Sequence, residues 1–496
     1  MKQYITGLKI NHAAAVEVSE DFELPDYRAE VRRAAGVQCT VTRDNVFLEG
    51  NTVEVSGCVL YTVVYLGGEG ELTSAPFYST WSAKIPLPEE GGIGTEDLHL
   101  TADSENVVCR VTGPRKLTLS ARVRIRCTAL GETDCTAAGT DGGDTICRME
   151  ETPVLHMKTC RHTGSVSGEA AGGGVIVCRG SVQITETRRT PEGIAVAGEA
   201  VVRMLTLGEN GAYTPIRSRV PISDTIPCPR TGLPEDAPGR EEVSVSGKCA
   251  ALTITEGDNG MISWEMEYDL DGTLLACGTA SRAADGYSTV CEDTPVFRQT
   301  EAVTNGSPLR GQITLTGEKP LRRDDAGDLQ FLYGWGRGMF EKGEMLAGGR
   351  MLLTGTAHCT VLLTGNGDIV TEEAALPIRY EYDLNQSGNM PGSPMPDGET
   401  IVPDCRCSFT VWDVGGHMEG SILHLHAEAG CDGILLYRQE CKWLHSLTCH
   451  ADRPLPKSRP AVILYTPDPG ETAWDVQKRY RTTNVTEADG RYVIRK

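Results

Sequence analysis

The chain has 496 residues, too many for one hydrophobic core, and its 68 acidic against 47 basic residues give a net charge of −21, which repels phosphate backbones and argues against a nucleic-acid partner. Frequent glycine (56) and proline (26), aromatics at 6% and short runs of Val, Thr and Ile favour a mostly β protein of several domains. The first residues, Met1-Lys2-Gln3-Tyr4-Ile5-Thr6-Gly7-Leu8, lack the apolar core of a signal peptide, and the longest apolar run, around Cys58–Leu66, is far shorter than the roughly 20 residues of a membrane helix; the expectation is a soluble cytosolic chain with no membrane insertion.

Eighteen cysteines are scattered with no CxxC pair, and many sit in strand-like runs such as Val175-Ile176-Val177-Cys178. They read as reduced, buried, small apolar residues.

Residues 1–35 form an N-terminal arm ending in the acidic stretch Phe22-Glu23-Leu24-Pro25-Asp26-Tyr27. Val53–Gly70 then reads as a strand, a pivot at Gly57, a second strand and a Gly-rich turn. Ile194–Gly211 repeats this pattern about Gly198, and Met351–Gly367 repeats it about Gly355 with a turn one residue shorter.

Each unit also carries a later stretch of period-2 alternation: Leu117–Val123, Ile262–Tyr268 and Ile422–Ala427. One face of each packs and the other stays wet. Three β-sandwich-like repeats are therefore expected over 36–150, 151–290 and 291–450, with boundaries in Gly131–Asp144, in Cys291–Gly306 and in a Pro-rich linker at 451–460.

Motifs for chemistry are sparse. Asp269-Leu270-Asp271-Gly272-Thr273 matches the DxDGT signature of haloacid-dehalogenase phosphatases, in which the first Asp attacks phosphorus. Those enzymes place it after a fully buried parallel strand, whereas Ile262–Tyr268 alternates; an Asp-Gly hairpin turn is the preferred reading and a phosphatase the remote alternative.

Gly334-Trp335-Gly336-Arg337-Gly338 lacks the residues of a phosphate-binding loop and reads as a flexible loop. Glu89-Glu90 and Asp324-Asp325 read as solvated acid pairs without catalysis. Cys405, Cys407, Cys431, Cys441, Cys449 and His450, with His417, His424 and His426, hold the donor types of a Zn²⁺ site, but their spacings fit no zinc knuckle. No catalytic residue, metal or cofactor is assigned.

The last segment, 461–496, is the most specific. Val462-Ile463-Leu464-Tyr465 reads as a strand, Pro467-Asp468-Pro469-Gly470 as a turn, and Thr472 as the N-cap of a helix, with Asp475 completing a capping-box-like pair. Ala473, Val476, Gln477 and Tyr480 share one helix face, and Arg491-Tyr492-Val493-Ile494 supplies a closing strand.

Pro469-Gly470-Glu471-Thr472-Ala473-Trp474-Asp475-Val476, with Lys478-Arg479-Tyr480, resembles the LysM pattern. It departs at Ala473, Gln477 and Arg481, where Leu, a small apolar residue and Gly are usual, and its second-helix region, Asn484–Asp489, is short. The fold class expected is mostly β: tandem β-sandwich-like domains plus a small C-terminal α+β LysM-like module.

The glycine-pivoted unit used three times, the acidic arm and this tail together resemble the SPOCS-domain spore coat proteins of spore-forming Firmicutes, with the architecture of SipL-like coat morphogenetic proteins. The resemblance implies a non-enzymatic scaffold in the mother-cell cytoplasm at the forespore surface, binding a coat-basement ATPase or another coat assembly protein. The LysM likeness implies a candidate groove for partner or glycan at Asp468, Pro469, Gly470, Glu471 and Thr472, facing Asp489 and Gly490; the alternative is a peptidoglycan (N-acetylglucosamine) binder of the cell wall.

Overall fold

Alternating burial fixes the architecture. Every second side chain from Val53 to Val63 is fully buried, as are Leu117, Leu119, Ala121, Val123 and Ile125, so both stretches lie on strands with one face in a core. The computed structural model describes residues 3–87, 93–140, 143–228, 241–257, 260–323, 326–347, 349–366, 368–384, 402–456 and 461–495. These residues are mostly β, with a single α-helix among them.

The first unit comprises β1 (Tyr4–Glu23), β2 (Arg33–Val41), β3 (Asn45–Glu49), β4 (Thr52–Leu66), β5 (Leu72–Pro86), β6 (Leu98–Gly113) and β7 (Lys116–Asp134). One antiparallel sheet runs β1-β7-β6 and the other centres on β4, flanked by β2 and β3 on one side and β5 on the other. Val55, Tyr61, Leu117 and Ile125 from the two sheets share one core. The expected arm at 1–35 is thus corrected: Tyr4–Glu23 pairs with β7 along its length.

The same wiring occurs twice more. The second unit has β8 (Thr145–Ala171), β9 (Gly174–Thr190), β10 (Gly193–Leu207), β11 (Tyr213–Pro227), β12 (Glu241–Glu256) and β13 (Met261–Ser288), paired as β8-β13-β12 and β9-β10-β11. The third has β14 (Cys291–Pro320), β15 (Gln330–Leu346), β16 (Arg350–Gly365), β17 (Asp368–Asp383), β18 (Val402–Glu419) and β19 (Ile422–Pro454), paired as β14-β19-β18 and β15-β16-β17. Cys291–Gly306, expected as a boundary, is instead the first half of β14, and β19 runs into the expected linker as far as Pro454.

Gly57, Gly198 and Gly355 occupy equivalent places on β4, β10 and β16. A Cβ there would lie 2.0 Å from the Thr42 carbonyl oxygen, 2.3 Å from that of Gln183 and 2.2 Å from that of Met339. Each glycine faces an irregularity in the neighbouring strand: the gap between β2 and β3, and register shifts in β9 and β15. The recurring glycine is therefore a close backbone approach opposite a bulge.

The three units close into a ring. The last strand of the second sheet in each unit touches the first strand of that sheet in the next: β5 on β9, β11 on β15, and β17 back on β2. Leu66, Leu72, Val177, Leu205, Trp335 and Leu362 form one apolar seam from all three units, and Leu130, Leu275 and Leu436 anchor a second. Ser74 Oγ donates to Ile176 O at 2.6 Å and Thr371 Oγ1 to Ala35 O at 2.7 Å. Pro215 holds the matching place in the second unit, each of the three residues pairing with the seventh residue beyond its pivot glycine, and has no hydroxyl to donate.

Three arginines make a cycle of contacts around the ring. Arg161 donates to the Arg43 carbonyl of the first unit, Arg126 to Cys407 O (3.1 Å) and Phe340 O (3.4 Å) of the third, and Arg310 to Val245 O (3.1 Å) of the second. Arg161 sits opposite Asp271 and Arg310 opposite Asp432, while in the first unit the arginine moves to the central strand opposite Ala13.

Asp432 lies 3.4 Å from Arg310, yet burial pushes its carboxyl up to about 6. A pKa raised above the unfolded value of about 3.9 favours folding only while the carboxyl is protonated. We therefore expect stability, measured by urea midpoints, to fall by roughly 2–3 kcal/mol relative to Asp432→Asn as pH rises from about 4 to about 6; a pH-independent difference between the two proteins would refute the buried carboxylate.

Candidate functional site

The tail is a four-element module: β20 (Val462–Tyr465), α1 (Ala473–Tyr480), β21 (Val485–Ala488) and β22 (Arg491–Arg495), with sheet order β20-β22-β21. Val476, Tyr492 and Ile494 are its buried core, backed by Ile463, Tyr465, Ala473, Tyr480 and Val485. Thr472 caps the helix as its spacing implied: its Oγ1 accepts from Asp475 N at 3.4 Å and the Asp475 carboxylate accepts from Thr472 N at 2.8 Å. Thr472 Oγ1 also donates to Asp475 Oδ2 at 2.6 Å, and this bond, then the one from Thr472 N, holds the Asp475 carboxyl below the usual carboxylate range.

One expectation is corrected. The second-helix region, Asn484–Asp489, is not helical: Val485–Ala488 pairs with β22 as a strand. Asp489 and Gly490 make the hairpin turn, with φ of 52° and 70°, the left-handed pair that a two-residue hairpin demands and that Asp-Gly supplies.

The candidate groove residues come to one end of the small sheet, because Tyr492 is flanked by Tyr465 and Glu487 in register. Asp468, Pro469, Gly470, Asp489 and Gly490 are exposed there. Glu471 is not available for a ligand: its carboxylate accepts from Tyr465 Oη (2.8 Å) and Asp468 N (3.1 Å), and it pairs with Arg479 at 2.9 Å. Glu471 and Thr472 therefore shape the loop and the helix start.

Another face of α1 is docked within the chain. Trp474 Nε1 donates to Asp285 Oδ2 at 2.9 Å, and Lys478 Nζ reaches both Asp285 oxygens at 2.6 and 2.7 Å. The Trp474 ring meets Tyr287 edge-on at 5.3 Å, the Tyr287 hydroxyl donates to Thr482 O at 3.3 Å, and Arg481 pairs with Asp293. Burial alone would raise the Asp285 pKa, but Lys478 and Trp474 outweigh it and hold the carboxyl low.

Sequence reasoning missed this contact. Its signal was present: Trp474, Lys478 and Arg481 recur at i, i+4 and i+7, a stripe beside the core face. Arg481 also holds the left-handed C-cap (φ 53°), where a side chain costs roughly 1–2 kcal/mol over glycine; its ion pair with Asp293 accounts for the departure from glycine.

The remaining motifs resolve differently from expectation. Asp269–Thr273 is not a turn but lies mid-strand in β13, paired on both sides. Asp269 is held by Arg161 at 2.5 Å and by the Thr163 hydroxyl at 2.8 Å, and Asp271 by Arg43. A Cβ on Gly272 would sit 2.9 Å from Cys160 Sγ, so the glycine admits close packing. Asp269, Asp271, Arg43, Arg161, His99 and Lys248 line a cavity of about 360 Å³ where the three units meet; burial, then the Arg43 charge, lowers the His99 pKa to about 4.

Gly334–Gly338 is not a loop either. It lies within β15, where Gly336 O and Gly334 O accept from Arg179 (2.7 Å) and Arg203 (3.3 Å) of the second unit. The cysteines weighed as zinc donors do not gather at one place: Cys405, Cys407 and Cys431 are neighbours, whereas Cys441 packs with Cys135 and Trp443, and Cys449 lies beside Thr145. Burial holds the Cys407 and Cys431 thiols protonated. Glu89-Glu90 and Asp324-Asp325 lie outside the described residues.

No family model, curated protein or solved structure matches the chain. No helix among the described residues is long and apolar enough to cross a membrane.

Loss of a charged hydrogen-bond acceptor costs about 1.5–3 kcal/mol, so Asp285→Ala should raise amide exchange across the α1 docking surface by about 10–150-fold. Because the Asp285 pKa is depressed, its contribution is present at neutral pH and disappears as pH falls below the usual carboxylate range. Unchanged exchange in the variant would mean that Asp285 does not hold the tail.

Proposed function

We propose that the chain is a non-enzymatic scaffold of spore coat assembly: three SPOCS-type β-sandwich modules set in a ring, with the LysM-like tail as the handle for a coat-basement ATPase or a similar assembly protein at the forespore surface of the mother cell. What supports this reading is the division of labour in the tail. One face of α1 is spent on Asp285, Tyr287 and Asp293, while edge strand β20 shows Val462 and Leu464 at 68% exposure each.

An edge strand with no charged residue, proline or bulge is a ready template for an incoming strand. The opposite edge, β21, carries Glu487. Docking by strand addition to β20 uses main-chain hydrogen bonds for affinity and covers Val462 and Leu464.

The peptidoglycan reading draws on the exposed Asp468, Pro469, Gly470, Asp489 and Gly490 at one end of the module, but Glu471 and Thr472 are committed internally. Asp269 and Asp271 are likewise engaged by arginines, so no phosphatase role is attached to them.

Burying an aliphatic side chain contributes about 1.5–3 kcal/mol, so Leu464→Lys, on the exposed face, is expected to weaken binding to the purified coat-basement ATPase by 10-fold or more without changing the thermal midpoint. Full-length protein that ignores the ATPase but cosediments with purified peptidoglycan would overturn the reading in favour of the wall-binding alternative.

A further inference from the structure

At the open end of the third unit, three strands bring a metal-binding set together. His417 on β18 lies opposite His424 on β19, and His424 lies opposite Glu318 on β14. The two imidazoles stack with centroids 5.0 Å apart and planes 10° from parallel. One ligand atom from each of His417, Glu419 and His424 lies within 4.8 Å of the others.

Each nitrogen of His424 faces a glutamate carboxylate. Nδ1 is 3.4 Å from Glu318 Oε1, and Nε2 is 3.3 Å from Glu419 Oε2. With its proton on Nδ1 toward Glu318, the neutral ring would turn its Nε2 lone pair to an ion shared with Glu419, the arrangement by which outer carboxylates orient zinc-binding histidines. Bonds of about 2.0–2.2 Å at a tetrahedral angle put two ligand atoms about 3.3–3.5 Å apart, which is the Nε2 to Glu419 separation.

We propose that this corner binds Zn²⁺, with His424 Nε2, Glu419 and His417 as ligands and Glu318 orienting His424 from behind. Two imidazoles and a carboxylate suit a borderline divalent ion. His424 is anchored, its side chain 24% exposed between buried Leu423 and Leu425, while Glu419 is 79% exposed, so Glu419 and His417 are free to close on the ion. The ion ties β18 to β19 beside their connecting turn and, through Glu318, couples them to β14.

This site is separate from the cysteines read earlier as donors, and the test separates the two. Co²⁺ is titrated into the full chain as a spectroscopic substitute, followed by competition with Zn²⁺. The expected result is one ion per chain, d–d absorption without a sulfur-to-metal charge-transfer band, loss of binding in His424→Ala and in His417→Ala, and affinity weakened by about 10–100-fold in Glu318→Gln. His417 is exposed, so its variant keeps the test valid if His424→Ala does not fold. Absence of binding, a thiolate charge-transfer band, or binding unchanged in His417→Ala would overturn the proposal.

Discussion

The structure depends on guanidinium groups that reach from one sandwich to the main chain of the next. Two apolar seams bring the three units together, but apolar contact is non-directional and would tolerate sliding. Arg161, Arg126 and Arg310 each donate to a particular carbonyl of a neighbouring unit. Backbone carbonyls at a unit boundary must find donors once buried, so these contacts fix the angle at which the units meet. The cost is visible at Asp432, which orients Arg310 while burial opposes its charge; the pair gives geometry at the expense of stability, as buried ion pairs often do.

Much of this was legible in the sequence. The period-2 stretches and the three glycine pivots named the central strands of all six large sheets, because alternating burial and close backbone approach are local demands that leave local marks. The ring was not legible. Nothing local marks Arg161, Arg126 and Arg310; strand register places them at the seams. The same holds for Asp269 and Asp271: Asp-Gly mimics a hairpin turn, yet here the aspartates face arginines and the glycine makes room for Cys160.

In the tail, capping chemistry and hydrophobic spacing named the strand, turn, helix start and last strand. Asn484–Asp489 misled because Glu487 and Ala488 favour a helix while Val485 and Thr486 favour a strand; Asp489-Gly490, a hairpin signal, outweighed the expected helix. Docking of α1 was hidden because it depends on Asp285, Tyr287 and Asp293, distant in sequence and ordinary in composition.

The ring also bears on where partners attach. Within each unit the outer strands of one sheet meet those of the other, as β2 meets β6, β9 meets β12 and β15 meets β18, so the long sheets cover much of their own edges. A protein with so much strand must suppress unwanted pairing, and closing edges inward is one way to do it. Against that background β20 is a short edge with outward Val462 and Leu464, on a module anchored by one helix face. Shielded long edges and short open ones keep such a chain from pairing along its length, and an open β20 fits the scaffold reading proposed above.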